Sequence, residues 1–153
     1  MKKPIFAVID TSVILAGLMS PSGASYAILE HYLAKKSFVW MLSQQLYNEY
    51  LLKIALKLPE IQKRAIKNGG NMTPETIDEI LAYIVKTSAW LDVASVLALT
   101  DDENDDHIAT MAIEYGADYL VTLDKDFDVM KERDYTVSII RPSEFIHILR
   151  LST

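Results

Sequence analysis

A chain of 153 residues, half of them hydrophobic, suits one domain with a sizeable core and is too apolar to stay disordered. With 21 acidic against 15 basic residues the net charge is −6, which excludes a broad basic surface for wrapping nucleic acid and leaves room for a local basic strip. Cysteine is absent, so disulfides and thiolate metal sites are excluded, and no apolar stretch reaches membrane-spanning length.

The start, Met1-Lys2-Lys3-Pro4, is basic, but the apolar run after it is short and ends at Asp10. It is therefore read as a first strand, Ile5 to Ile9, and not as a secretion signal; a cytoplasmic location is expected. Thr11 to Leu18 is a short helix stopped by Ser20-Pro21-Ser22-Gly23. Ala24 to Ala34 is helical, Phe38 to Leu42 is a second strand, and Ser43 caps a helix from Gln44 to Leu56. Leu58-Pro59 is expected to break that helix. A further helix, Glu60 to Lys67, ends at Asn68-Gly69-Gly70-Asn71, and Thr73-Pro74 starts another that runs to about Thr87. Residues Pro59 to Ser88 thus read as a helical pair inserted beside the sheet. Trp90 to Ala94 is a short strand, Asp105 to Tyr115 a helix, Tyr119 to Val121 a strand followed by a short helix, and Val137 to Ile140 a last strand before a helix opened by Pro142. Strands alternating with helices predict an α/β fold, a three-layer open parallel sheet with helices on both faces, in one domain over residues 1–153.

Four acids stand where such a fold would bring them together. Asp10 and Asp124 follow apolar strands, Asp105 opens a helix, and Glu49 lies within one. Ligands of open parallel sheets bind beyond the carboxyl ends of the strands. Carboxylates gathered there repel unless a cation sits among them, so their folded pKa values are expected above the unfolded ones, and hard cations with oxygen ligands are the usual answer. Each acid also has a plainer reading: Asp10 and Asp124 as caps, Asp105 and Asp106 as first-turn acids favouring the helix dipole. Capping explains Glu49 poorly, because it is in mid-helix and shares a stripe with Leu52 and Leu56. His31, His107 and His147 show no zinc spacing, and His107 is expected to face solvent. Lys53, Lys57, Lys63, Arg64 and Lys67 form the densest basic stretch, either a solvated helix face or a contact for an RNA backbone.

Val8-Ile9-Asp10-Thr11-Ser12-Val13 and Leu42-Ser43-Gln44-Gln45-Leu46-Tyr47-Asn48-Glu49-Tyr50 resemble the first two motifs of the PIN-domain ribonucleases. Asp105-Asp106-His107-Ile108-Ala109 and Gly116-Ala117-Asp118-Tyr119-Leu120-Val121-Thr122-Leu123-Asp124-Lys125-Asp126-Phe127 resemble the third and fourth. The match runs from Val8 to Phe127 in the family's order, and it is similar to the branch of VapC-like toxin components of toxin–antitoxin pairs. The resemblance implies that Asp10, Glu49, Asp105 and Asp124 are metal-binding catalytic acids, with Asp10 and Asp105 central. Thr122 matches a hydroxyl residue beside the site and Asp126 a less regular extra acid. Ser12 departs from the asparagine most common there, and Asp102-Glu103-Asn104 departs from Asp-Pro-Asp. Thr11, next to Asp10, and Asp102, close to Asp105, complete the secondary candidates.

The expected chemistry is hydrolysis of an RNA phosphodiester assisted by Mg²⁺ or Mn²⁺, in one- or two-metal form. The resemblance further implies endonucleolytic cleavage, a small antitoxin protein as partner, and a homodimer or higher oligomer. The alternative is a PIN fold kept as a catalytically silent RNA- or protein-binding module. A haloacid-dehalogenase phosphatase would need a second aspartate where Ser12 stands. A receiver domain would need a phosphoacceptor ending the third strand, where only Asp92 is offered inside the run.

Overall fold

The computed structural model describes residues 3–152. Met1 and Lys2 of the basic start, and residue 153 of the expected domain, lie outside the described residues. Five strands form one parallel sheet: β1 (Phe6–Ile9), β2 (Val39–Leu42), β3 (Ala89–Trp90), β4 (Tyr119–Val121) and β5 (Ser138–Ile140), in the order β3-β2-β1-β4-β5. The helices between them are α1 (Thr11–Met19), α2 (Ala24–Lys35), α3 (Gln44–Lys67), α4 (Pro74–Thr87), α5 (Asp106–Glu114) and α6 (Pro142–Leu151). Two 3₁₀ turns, Glu103–Asp105 and Lys125–Glu132, precede α5 and follow β4. No single helix among the described residues is long and apolar enough to cross a membrane.

The central strand explains the three layers. Ala7, Val8 and Ile9 are all wholly buried, and successive strand residues point to opposite faces, so both faces of β1 are covered. The chain steps outward from β1 to β2 and β3, then returns to the other side of β1 as β4. Right-handed crossovers place α1 to α4 on one face and α5 on the other. Accordingly, α1 packs against α2 and α3, while α5 packs on β1 and β4. The reversal between β1 and β4 opens a crevice at their carboxyl ends, where Asp10 and Thr122 follow directly. A buried Tyr50 hydroxyl on α3 donates to the Ile9 carbonyl at 2.5 Å and fixes the last turn of β1. Burial pushes the Tyr50 phenol well up, so it stays a donor.

Two elements differ from expectation. Leu58-Pro59 does not end a helix, because α3 runs unbroken from Gln44 to Lys67 with Pro59 inside it. The buried positions Leu46, Tyr50, Ile54, Ile61 and Ala65 keep helical spacing across the proline, so tertiary burial outweighs the lost hydrogen bond. Pro59 itself is exposed, and so is Ala55, whose carbonyl loses its partner and reaches water. The expected helical pair is present, but its first member is the extension of α3. The third strand spans only Ala89–Trp90, not Trp90 to Ala94. After Leu91 N–H donates to Leu42 O at 2.8 Å, the backbone turns to α5 for partners. Tyr115 donates to the Asp92 carbonyl, Leu97 N–H donates to Thr110 Oγ1, and Leu99 and Thr100 N–H donate to Asp106 Oδ1.

Proline within a helix costs about 3 kcal/mol, partly returned by the stiffer unfolded chain. Pro59→Ala is therefore expected to stabilise the protein by ~1–2 kcal/mol, a rise of several degrees in Tm by calorimetry. A fall in Tm would mean that the backbone conformation Pro59 imposes is what seats Ile61 and Ala65.

Candidate functional site

A cleft of about 760 Å³ opens at the carboxyl end of the sheet. Its lining includes Asp10, Glu49, Asp105 and Asp124, brought from four separate segments of the chain, together with Thr11, Ser12 and Asp102. Thr122 lies wholly buried beneath it, and Asp126 is half-buried at its side.

Asp10 sits at the helix-cap position of α1 yet makes no side-chain cap bond. Its Oδ2 accepts instead from Ser12 Oγ at 2.6 Å and from Thr122 Oγ1 at 2.8 Å. The same hydroxyls accept in turn from Leu123 N–H at 3.0 Å and Asp124 N–H at 2.9 Å. Two small side chains thereby tie the ends of β1 and β4 together. Burial nonetheless raises the Asp10 pKa, with the charges of Glu49 and Asp124 adding to it against the two hydroxyl bonds.

Glu49 reaches the cleft from α3, where Thr11 Oγ1 donates to its Oε2 and His107 Nε2 lies 3.5 Å from its Oε1. His107 does not face solvent. It is 3% exposed, because α5 is buried on every side from Asp106 to Ala112. The polar run Asp105-Asp106-His107, with Thr110, at the head of an otherwise apolar helix was the signal for that burial. Leu52 and Leu56, in contrast, are 57% and 69% exposed, so the stripe they share with Glu49 is largely solvated, with Leu52 lining the cleft beside the half-buried Glu49. The Glu49 pKa also departs from expectation. Burial raises it, but the bonds from His107 and Thr11 and the charges of His107 and Lys53 outweigh burial and hold it below its ordinary value.

Asp105 and Asp106 are adjacent and have opposite surroundings. Asp106 Oδ1 accepts from Leu99 N–H, Thr100 N–H and Thr100 Oγ1; burial opposes ionisation there, but these bonds lower the pKa on balance. It holds the loop in place. Asp105 makes no cap bond, and its Oδ2 is buried without a partner among the described residues. Burial, then the charges of Asp10 and Asp124, push its pKa up to about 8. Asp101 N–H donates to the Asp126 carbonyl at 3.0 Å, joining the two loops, and Asp102, Asp105 and Asp126 bring carboxylate oxygens within 4.8 Å of one another. Asp124 does act as a cap, accepting from Asp126 N–H at 2.9 Å, and its charge raises the Asp126 pKa. The orphaned Asp105 oxygen, the crowded carboxylates and the oxygen-only donor set fit a hard divalent cation.

Arg141, absent from the sequence candidates, braces this loop from the carboxyl end of the neighbouring strand β5. Its guanidinium donates to the carbonyls of Thr122 at 3.0 Å and Asp124 at 3.4 Å, and grips both oxygens of Asp128 at 3.1 and 3.2 Å. An arginine between a strand and a helix-opening proline was its only mark in the sequence.

Among known protein families, the PIN domain matches over residues 7–126. No curated protein matches the chain.

The raised Asp105 pKa carries a sign. The native state binds more protons than the unfolded one between pH ~4 and ~8, so stability falls as pH rises through that window and is flat above it. Asp105→Asn removes the charge and is expected to raise the Tm of the cation-free protein at pH 8 by a few degrees, about 1–2 kcal/mol, with little change at pH 4. It should also shrink the further rise on adding Mg²⁺ or Mn²⁺. Thermal melts with chelator and with metal check this; a lower cation-free Tm with an intact metal response would make Asp105 a structural residue.

Proposed function

The chain belongs to the PIN-domain family, and from that premise we propose that it is a divalent-metal-dependent RNA endonuclease acting as the toxin component of a toxin–antitoxin pair. Proteins of this family are generally metal-dependent nucleases. The observation that carries the reading is the convergence of Asp10, Glu49, Asp105 and Asp124 in one cleft. Asp10 and Asp105 would hold the cation at its centre, with Glu49 and Asp124 as further or water-mediated ligands, and Asp102 and Asp126, whose carboxylates lie close to Asp105, could join them. When bound, Mg²⁺ or Mn²⁺ lowers the pKa of the attacking water and offsets charge on the phosphoryl oxygens.

The chain's own groups do the rest. Ser12 and Thr122 hold Asp10 by one oxygen, Oδ2. Thr11 and His107 keep Glu49 ionised and aimed, so it accepts a hydrogen bond from the attacking water and orients it. The water oxygen bonds to phosphorus as the bond to the leaving ribose oxygen breaks, the water giving up a proton to Glu49 or to solvent and the ribose oxygen taking one from solvent. Arg141 holds the Thr122 and Asp124 backbone still while this happens. The wider reading is a single domain over residues 1–153, cytoplasmic and homodimeric or larger, with an antitoxin peptide covering the acidic cleft.

RNA cleavage is expected only with Mg²⁺ or Mn²⁺. Asp10→Asn should lower it by at least a hundredfold, because a neutral amide weakens both the cation and its water. Asp118→Asn should retain it, since Asp118 accepts from Phe6 N–H at 2.8 Å at the opposite end of the sheet. Gel assays of cleavage decide: activity in excess chelator overturns the metal mechanism, and no cleavage by the wild type favours a binding module. In cells, expression of the wild type should slow growth while Asp10→Asn should not. Equal toxicity of the two would sink the toxin-nuclease reading.

A further inference from the structure

The fold divides the densest basic stretch of the chain. Of Lys53, Lys57, Lys63, Arg64 and Lys67, only Lys53 and Lys57 line the cleft, and Arg64 is paired with Glu60 at 3.3 Å. Four residues apart on α3, the two lysines rise from the same wall, about 6 Å from each other along the helix axis. They continue the row that Glu49 begins on the acidic floor. Both are exposed, and neither joins an ion pair among the described residues. They are the only lysines among the described lining residues, and no arginine accompanies them. Beside them, Leu15, Leu52 and Val96 add apolar surface to the same cleft.

The geometry points to Lys53 and Lys57 as the phosphate track of the cleft, holding the backbone of a single-stranded nucleic acid along the α3 wall. This rests on the nuclease reading for the choice of a polyanion. A phosphodiester approaching Asp10 and Asp105 meets a floor of like charge, and two cations on the adjoining wall offset that repulsion where the strand enters. The carboxylates lie at the bottom, with Asp10 3% and Asp105 9% exposed, in a cleft of a size that encloses a small ligand. A flexible single strand can bend to lower one phosphate toward them more readily than a stiff duplex. The apolar wall of Leu15, Leu52 and Val96 is left for the sugars and bases of the strand.

The test is binding of a fluorescent oligonucleotide to the Asp10→Asn protein in Mg²⁺ across a salt series, with single-stranded RNA, the same sequence as single-stranded DNA, and duplex RNA. Adding Lys53→Ala and Lys57→Ala should weaken single-strand binding alike for all sequences. It should also flatten the slope of log affinity against log salt by about 1.4, roughly 0.7 per lysine. Lys63→Ala with Lys67→Ala should leave the slope unchanged. Restoring the charge with Lys53→Arg and Lys57→Arg should recover it, which separates lost contact from lost folding. Tighter RNA than DNA binding would assign the ligand to a ribose strand, and equal binding to the phosphodiester backbone alone; both support the track. An unchanged slope in the Lys53/Lys57 double variant, or duplex bound as tightly as single strand, or equal competition by polyglutamate, would overturn it. Strand binding through these lysines without cleavage by the wild type would overturn the nuclease reading and leave the track standing. Cleavage with an unchanged slope would do the reverse.

Discussion

Asp10 Oδ2, shared between the hydroxyls of Ser12 and Thr122, is the contact on which the cleft depends. A carboxylate 3% exposed is costly as an anion unless hydrogen bonds replace its lost water. Here both donors are also acceptors, for the N–H groups of Leu123 and Asp124. The bonds form a closed relay: β1 ends at Asp10, Asp10 holds Thr122 at the end of β4, and Thr122 sets the backbone that carries Asp124. Such a relay stiffens as a unit, because each bond polarises the next. Moving any one member would shift the acids relative to one another.

Around that relay the acids differ in how fully their oxygens are satisfied. Asp106 and Asp118 are spent on backbone amides, one holding the loop before α5 and the other the entry to β1. Asp105, one residue from Asp106, has a buried oxygen with no partner and a pKa pushed up to about 8. A fold that satisfies one aspartate fully and leaves its neighbour unsatisfied stores an electrostatic strain relieved by proton or cation. Glu49 is the exception within the cluster, since Thr11 and His107 compensate its burial and lower its pKa. The site is therefore graded: one carboxylate held ionised and others waiting for positive charge.

Cations frame this centre at two distances. Arg141 lies behind the Thr122–Asp124 backbone and is consumed by carbonyls and Asp128, so it stiffens the loop without neutralising the cleft. Lys53 and Lys57 stand in front, on the cleft wall. A chain of net charge −6 thus keeps its acidic floor negative while presenting positive charge where a polyanion would arrive.

Much of this was legible in the sequence. Short apolar runs ending at Asp10 and before Thr122, alternating with helices, determined the parallel sheet, because strands buried on both faces must be apolar throughout. The strand-end positions of Asp10 and Asp124 determined that they would meet, given where open parallel sheets place their crevice. What local pattern could not settle was anything decided by packing from afar. Pro59 reads as a break until the buried stripe from Leu46 to Ala65 is seen to continue through it. His107 reads as solvent-facing until α5 is enclosed on every side. Leu52 and Leu56 read as keeping the Glu49 stripe off a clean solvated face, yet both are exposed, and Glu49 is held by Thr11 and His107 instead. The split of the basic stretch into cleft and outer surface, and the reach of Arg141 from the end of β5 to Thr122, depend on how α3 and the loop after β4 lie against the sheet. Residue type and spacing set which groups are near in the chain, but only tertiary burial sets which of them lose water and so become charged, neutral or bound.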